Sequence, residues 1–249
     1  MIVEHVPLLA LQRRLYDIPR GPDRFQAYLR LMIDWAGEDI RLPLVAMNPM
    51  GKDHVPAFLD AVLAFDGEQV AADAVQEAQV QLRDVPGTFR FALVVVDDLL
   101  GGWTNRFATE HWHCFDSGRL YERGWVVGML WTADVPSPQA VRTEVLTTLH
   151  RLAYIERHGQ ARTLREKMAQ EGYAMARAGC RTPALDADDL AYTREVIAPH
   201  LEATDLRTAV EYLYGDAAGA TLGFRPCGMS ERAGLALALH DARSKACLA

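Results

Sequence analysis

The sequence lacks the features that define several broad classes of protein. It has no apolar run near the ~18–20 residues that a membrane-spanning helix needs, so we expect no membrane partner. It also lacks a surplus of basic residues, because 26 Lys and Arg stand against 33 Asp and Glu, for a formal charge of −7. We therefore expect no nucleic-acid partner, since binding to phosphates requires clustered cations.

Cysteine is scarce and several familiar catalytic motifs are missing. The 4 cysteines form no CxxC pair, which predicts free thiols: they are Cys114, Cys180, Cys227 and Cys247. The N-terminus has Glu4 and only a short apolar run, which is not a signal-peptide pattern, so we expect a cytoplasmic protein. No GxGxxG follows a strand, and neither HExxH nor GxSxG occurs. Nicotinamide-dependent, zincin and serine-hydrolase functions therefore lose their usual support.

What is present is an ordinary globular composition, with 50% hydrophobic and 24% charged residues. Patterns that predict strands all fall before residue 135. They are apolar runs at 42–47, 89–96 and 124–132, and a segment at 106–115 that could be a strand with two distinct faces. The run at 89–96 is the clearest of them, and its continuous apolar character is typical of a strand covered on both faces.

Beyond residue 135 the pattern becomes helical. Ser137 followed by Pro138 predicts a helix start, and further helices are predicted to begin at Asp186, Asp205 and Ser230. The sequence thus predicts an α/β or α+β fold, with a three- to four-stranded mixed sheet packed by helices and an all-helical C-terminal half. Residues 1–249 are expected to form one domain, with 1–135 and 136–249 as possible sub-lobes.

Two carboxylates follow the clearest strand. Asp97 and Asp98 come directly after it, and open α/β sheets bind ligands at the carboxyl ends of their strands. Adjacent strand residues face opposite ways, so one of the two is expected to enter a site. Both are candidate catalytic residues. The alternative is that one caps a turn while the other is solvated.

Two turns carry candidate substrate-binding groups. Asn48 and Lys52 lie in a Pro- and Gly-containing turn before a predicted helix, and Trp103, Asn105 and Arg106 follow a Gly-Gly pair. Amide, ammonium and guanidinium donors suit an anionic ligand. The alternatives are that Lys52 lies in solvent, and that Trp103 packs in the core with Arg106 paired to an acid.

His111 and His113 form an HxH pair. On a strand their Cβ atoms would lie roughly 6–7 Å apart, because the rise is ~3.3 Å per residue, and one metal ion could bind both. A third ligand would come from elsewhere, the candidates being Asp97, Asp98, His54, His150 and His158. If the segment is helical, the two rings diverge by about 200°. His111 is also a candidate acid–base catalyst without a metal.

Together these residues favour a small-molecule enzyme, a hydrolase or lyase acting on an anionic substrate by acid–base or metal-assisted chemistry. The cofactor is unknown, with a divalent metal ion left open. A homo-oligomer is also left open. The alternative is a non-catalytic protein that binds a small ligand or another protein.

Overall fold

The candidate carboxylates follow the central strand of a three-stranded sheet. The computed structural model describes residues 1–34, 39–99 and 104–246. The strands are β1 (Ile2–His5), β2 (Ile33–Asp34), β3 (Asp39–Ile40), β4 (Thr88–Val96) and β5 (Trp125–Trp131). The helices are α1 (Leu9–Leu15), α2 (Pro22–Met32), α3 (His54–Ala64), α4 (Gly67–Gln81), α5 (Arg106–Phe115), α6 (Gly118–Glu122), α7 (Pro138–His158), α8 (Leu164–Arg177), α9 (Ala187–Ile197), α10 (Leu206–Tyr214), α11 (Asp216–Thr221) and α12 (Ala233–Ala246), with a 3₁₀ turn at Ala198–His200.

The chain divides into two compact units. The first comprises Met1–Arg106 and Arg119–Thr148, and the second comprises Phe107–Gly118 and Leu149–Ala249. Whether they are sub-lobes of one domain, as the sequence predicts, stays a prediction.

A parallel three-stranded sheet forms the centre of the first unit, in the order β1-β4-β5. A separate two-stranded antiparallel sheet pairs β2 with β3. Residues Phe91 to Val96 of β4 are all buried, as are all the residues of β5, which explains their unbroken apolar runs. With strands in the N-terminal half and helices beyond, the α/β class predicted from the sequence is confirmed.

Side chains complete the hydrogen bonding of this small sheet. Gln79 Oε1 accepts from Val3 N at 3.0 Å and Glu144 Oε1 accepts from Met129 N at 2.9 Å, so a side chain satisfies one backbone N–H on each outer strand. β1 ends opposite Phe91. Farther along β4, the buried Gln12 of α1 exchanges two bonds with the backbone of Val95, at 2.7 and 3.0 Å. The Gln12 side chain thereby supplies the donor and the acceptor that a neighbouring strand would offer to Val95.

The prediction of a strand at 42–47 is wrong, because this segment has no ladder pairing. Most of its apolar side chains are buried all the same, with Leu44 and Met47 fully inaccessible, whereas Val45 is 45% exposed. Tyr28 Oη donates to the carbonyl of Leu44 at 3.0 Å, and Tyr16 Oη donates to that of Asn48 at 2.6 Å. Tyrosine hydroxyls therefore satisfy carbonyls that a strand would have paired with backbone.

The second unit is helical where the structure describes it, as predicted for the C-terminal half. Asp186 and Asp205 cap α9 and α10 by accepting from backbone N–H groups, which confirms both predicted starts. Helices α8 and α12 pack closely, because Gly172 leaves room for the partner backbone. A Cβ atom at Gly172 would lie 2.4 Å from the carbonyl oxygen of Ala238. Within the described ranges, none of the helices has the length and apolar content needed to cross a bilayer.

Candidate active site

Polar side chains of the first unit converge at the carboxyl ends of β4 and β5. Asp97 and Asp98 follow β4, and Thr132 follows β5, which runs parallel beside it. The 48–54 turn before α3 adds Asn48 and His54, both of which contact Asp97. The structure therefore brings one of the predicted turns to the predicted strand end.

Asp97 is the centre of this cluster. Its side chain is only 2% exposed, and Oδ1 lies 2.7 Å from His54 Nε2. Oδ1 also accepts from Leu99 N at 3.2 Å, and Oδ2 accepts from Asn48 Nδ2 at 2.7 Å. Both oxygens of the buried carboxylate thus have donors, as a buried charge requires.

Asn48 is held in place on three sides. Its Oδ1 accepts from Met50 N at 2.9 Å, so the amide cannot rotate without losing a bond. Tyr16 Oη donates to its carbonyl at 2.6 Å. Burial, and then the nearby charge of Asp97, raise the pKa of Tyr16 above its usual range, so this hydroxyl stays protonated as a donor. The buried guanidinium of Arg24 lies over the Tyr16 ring, 5.2 Å from its centroid.

His54 is the first residue of α3, and its side chain is 17% exposed. A carboxylate only accepts hydrogen bonds, so when the ring is neutral Nε2 carries the proton and Nδ1 carries a lone pair. Nδ1 is buried and has no hydrogen-bond partner within the described part of the chain. A buried ring nitrogen in this state calls for a functional explanation or a bound water.

Asp98 and Arg106 form a second arrangement at the same edge, next to the first, since Thr132 Oγ1 also lies 3.4 Å from Asp97 Oδ1. Asp98 Oδ1 accepts from Thr132 Oγ1 at 3.0 Å and from Ala133 N at 2.9 Å. Arg106 Nη1 lies 3.2 Å from Asp98 Oδ2, and its guanidinium binds both oxygens of Asp134 at 2.8 and 2.9 Å. The guanidinium of Arg106, which was predicted to bind an anionic ligand, is therefore ion-paired with carboxylates of the protein.

Three other residues were predicted to bind substrate: Lys52, Trp103 and Asn105. The Lys52 side chain is exposed, and Asn105 is half-buried. Trp103 lies outside the described residues. The substrate-binding roles of these three, and of Asn48 and Arg106, stay predictions.

The predicted strand at 106–115 is wrong, because these residues form α5. His111, Cys114 and Phe115 are buried at helical spacing, His113 is buried as well, and Trp112 is exposed. The alternating polarity of these ten residues also fits a strand, so the sequence alone did not reveal the helix. On this helix His111 and His113 diverge by about 200°, so the spacing argument for a shared metal ion fails. Among the residues that the structure describes, no group of three or more His, Cys, Asp or Glu side chains could hold a metal ion. Metal binding stays a prediction.

His111 instead has a lysine partner that the sequence does not reveal. Its Nε2 lies 3.0 Å from Lys167 Nζ, and both side chains are buried in the second unit. Burial, and then the charge of Lys167, lower the pKa of His111 to about 4. Burial also lowers the pKa of Lys167. The ring is thus neutral at physiological pH and accepts a hydrogen bond from the ammonium.

This pair predicts an acid-sensitive protein. In the unfolded chain His111 takes up a proton near pH 6.5, whereas in the folded protein it does so near pH 4. The free energy of unfolding should therefore fall as pH falls through this window, by up to roughly 3 kcal/mol from this residue. Urea unfolding at about pH 7 and about pH 4.5 measures it. His111→Gln should lose about 2 kcal/mol less than the wild type over that interval. Equal losses would contradict the assignment.

Sequence reasoning missed the contact of His54 with Asp97, since it included His54 only as a candidate third metal ligand. It also missed Tyr16 and Thr132. The one signal for His54 is its place after a turn that follows an apolar run. Comparisons with known protein families, with curated proteins and with solved structures found no match to this chain.

Proposed function

We propose that the protein is an enzyme that acts on a small molecule by acid–base catalysis, with His54 as the general base. The observation that carries the proposal is the buried Asp97 carboxylate, 2.7 Å from His54 Nε2, with His54 Nδ1 lacking a partner among the described residues. A carboxylate that fixes one ring nitrogen leaves the other as the proton acceptor.

Asp97 acts here as a positioning residue. It selects the Nε2–H tautomer, and its negative charge stabilises the imidazolium formed when Nδ1 takes a proton. Because Asp97 is buried, little water screens that interaction. Asn48 and the N–H of Leu99 hold the carboxylate itself in place.

Hydrolysis and elimination are the reaction classes that fit this pair, since both begin with removal of a proton from water or from carbon. Lys52, exposed in the same turn, supplies a point charge for an anionic substrate. Activation of water by a divalent metal ion is the second route within this proposal.

We propose the cytoplasm as the location and a small molecule as the partner. Among the described residues, Cys114, Cys180 and Cys227 form no disulfide bond, in keeping with a reducing compartment. The net charge of −7 argues against a nucleic-acid partner.

The chain offers a matched control for the proposal. His5 Nε2 lies 3.0 Å from Glu68 Oε2 without hydrogen-bond geometry, so it is a second histidine–carboxylate contact in the same unit. His5 pairs in register with Phe91. Asp97 lies six residues farther along the chain, or about 20 Å at ~3.3 Å per residue. His5→Gln therefore removes a similar pair away from the candidate site.

The test is a panel of hydrolysis and elimination reactions. Carboxyl, phosphoryl and sulfuryl esters of 4-nitrophenol and small hydroxy acids would be assayed with the wild type, His54→Gln and His5→Gln, with and without added zinc or manganese. We expect at least one reaction that His54→Gln slows by roughly 10²–10⁴-fold and His5→Gln leaves unchanged. Equal rates in all three proteins would count against the proposal.

A second measurement needs no substrate. Nitrogen-15 NMR of the histidine rings, at a pH where His54 is neutral, should show the proton on Nε2 and a lone pair on Nδ1. A proton on Nδ1 would rule out this nitrogen as the base.

A further inference from the structure

A cleft of about 670 Å³ opens among the helices of the second unit. It is formed by α8, α9, α12 and the 3₁₀ turn, with Tyr154 from α7 at one side. The volume lies within the range of ~300–1,000 Å³ that is common for small-ligand sites. All of its lining residues belong to the second unit, so it is independent of the site around Asp97.

The floor of the cleft is apolar. Met168, Ile197 and Leu237 are buried beneath it. Tyr154 and Tyr173 form an aromatic wall, with ring centroids 5.4 Å apart. Binding of an apolar group to this lining is favourable, because it removes apolar surface from water.

The rim of the cleft is cationic. Arg165, Arg177, Arg194 and Lys245 line it, and Asp241 is the one acidic residue among the lining residues. The rim therefore carries a surplus of positive charge, whereas the chain as a whole has a formal charge of −7. This local excess favours a ligand with negative charge at one end.

Two of these cations are available to a ligand. Arg194 is bonded to Asp241 at 2.7 Å, and Arg165 is bonded to Glu202 at 2.8 Å. Arg177 and Lys245 are exposed, and neither has an ion pair within the described ranges.

We propose that this cleft binds an amphipathic organic anion, namely a carboxylate joined to an aliphatic or aromatic body. The apolar body lies on Met168, Ile197 and Leu237, and the carboxylate lies at the rim near Arg177 and Lys245. The apolar part supplies burial, and the charge sets the orientation and excludes neutral or cationic analogues.

The test uses the purified full-length chain and defined probes. Binding of dodecanoate, 1-naphthoate and the neutral 1-dodecanol would be measured by isothermal titration calorimetry. We expect one or both acids to bind, with the alcohol at least about tenfold weaker than dodecanoate if the aliphatic acid is the ligand. The two acids distinguish an aliphatic from an aromatic body.

Variants separate the cleft from the rest of the surface. Ala169→Trp places an indole in the cleft from an exposed position on α8 and should abolish binding. Arg177→Glu with Lys245→Glu should weaken binding at least about tenfold, whereas Arg225→Glu, at an exposed site outside the cleft, should not. Circular dichroism would confirm that each variant is folded.

The proposal is overturned if neither acid binds, if the alcohol binds as well as the acids, or if Ala169→Trp leaves binding unchanged. If neither acid binds and Ala169→Trp converts a dimer to a monomer in sedimentation, the cleft is instead a contact between two copies of the chain.

Discussion

Asp97→Asn should lower the kcat of any reaction that depends on His54 by roughly 10²–10⁴-fold while the protein stays folded. The replacement keeps the shape of the side chain and removes one of two acceptor oxygens. Both oxygens have donors in the wild type: His54, Leu99 and, at 3.4 Å, Thr132 at Oδ1, and Asn48 at Oδ2.

Neither orientation of an amide at position 97 satisfies those donors. With the NH₂ group in place of Oδ1, it faces Leu99 N–H, and His54 must move its proton to Nδ1 to offer an acceptor. With the NH₂ group in place of Oδ2, it faces the NH₂ of Asn48, which is fixed by its bond to Met50 N. The first orientation removes the lone pair on Nδ1 of His54, which acts as the base. The second removes the hydrogen bond from Asn48 that holds the side chain at position 97 in place.

Steady-state kinetics combined with nitrogen-15 NMR of His54 measures this effect. The loss should appear in kcat with a changed pH profile, and the ring should show a larger Nδ1–H population. Asp98→Asn is the comparison, because Asp98 contacts Thr132, Ala133 and Arg106 but not His54. A large loss with Asp98→Asn and none with Asp97→Asn would assign the positioning role to Asp98.

The sequence predicts the location of Asp97 well, because an unbroken apolar run ending in two carboxylates has few structural interpretations. β4 is buried from Phe91 onward and ends at the predicted place. The partners of Asp97 could not be predicted, since Asn48 and His54 lie 49 and 43 residues away along the chain. Only the packing of the 48–54 turn against the strand end brings them together.

The two wrong strand predictions have different physical causes. In 106–115, alternation and helical spacing both fit ten residues, and burial of His111 beside Lys167 depends on tertiary contacts. In 42–47, apolar character predicts the burial of Leu44 and Met47 but not the exposure of Val45. The hydroxyls of Tyr28 and Tyr16 satisfy the carbonyl of Leu44 within the segment and that of Asn48 just after it. A residue pattern specifies which side chains are buried more directly than it specifies what the backbone bonds to.

Glu171→Ala should destabilise the protein by about 3–5 kcal/mol, the largest effect we expect on stability. Arg151 donates from Nε and Nη2 to the two oxygens of Glu171, at 2.7 and 3.0 Å, and each side chain is 6% exposed. Gln170 Nε2 adds a third donor at 3.1 Å. Removing the carboxylate leaves the buried Arg151 guanidinium without this counter-charge.

Urea unfolding of four proteins tests this explanation. Glu202→Ala removes the partner of Arg165 in an exposed pair of the same unit and should cost less than ~1 kcal/mol. The double replacement of Arg151 and Glu171 by leucine should recover most of the loss seen in Glu171→Ala, because it removes both charges from the interior. If the double variant is as unstable as Glu171→Ala, the cost comes from lost packing around the pair and the isolated charge is not its cause.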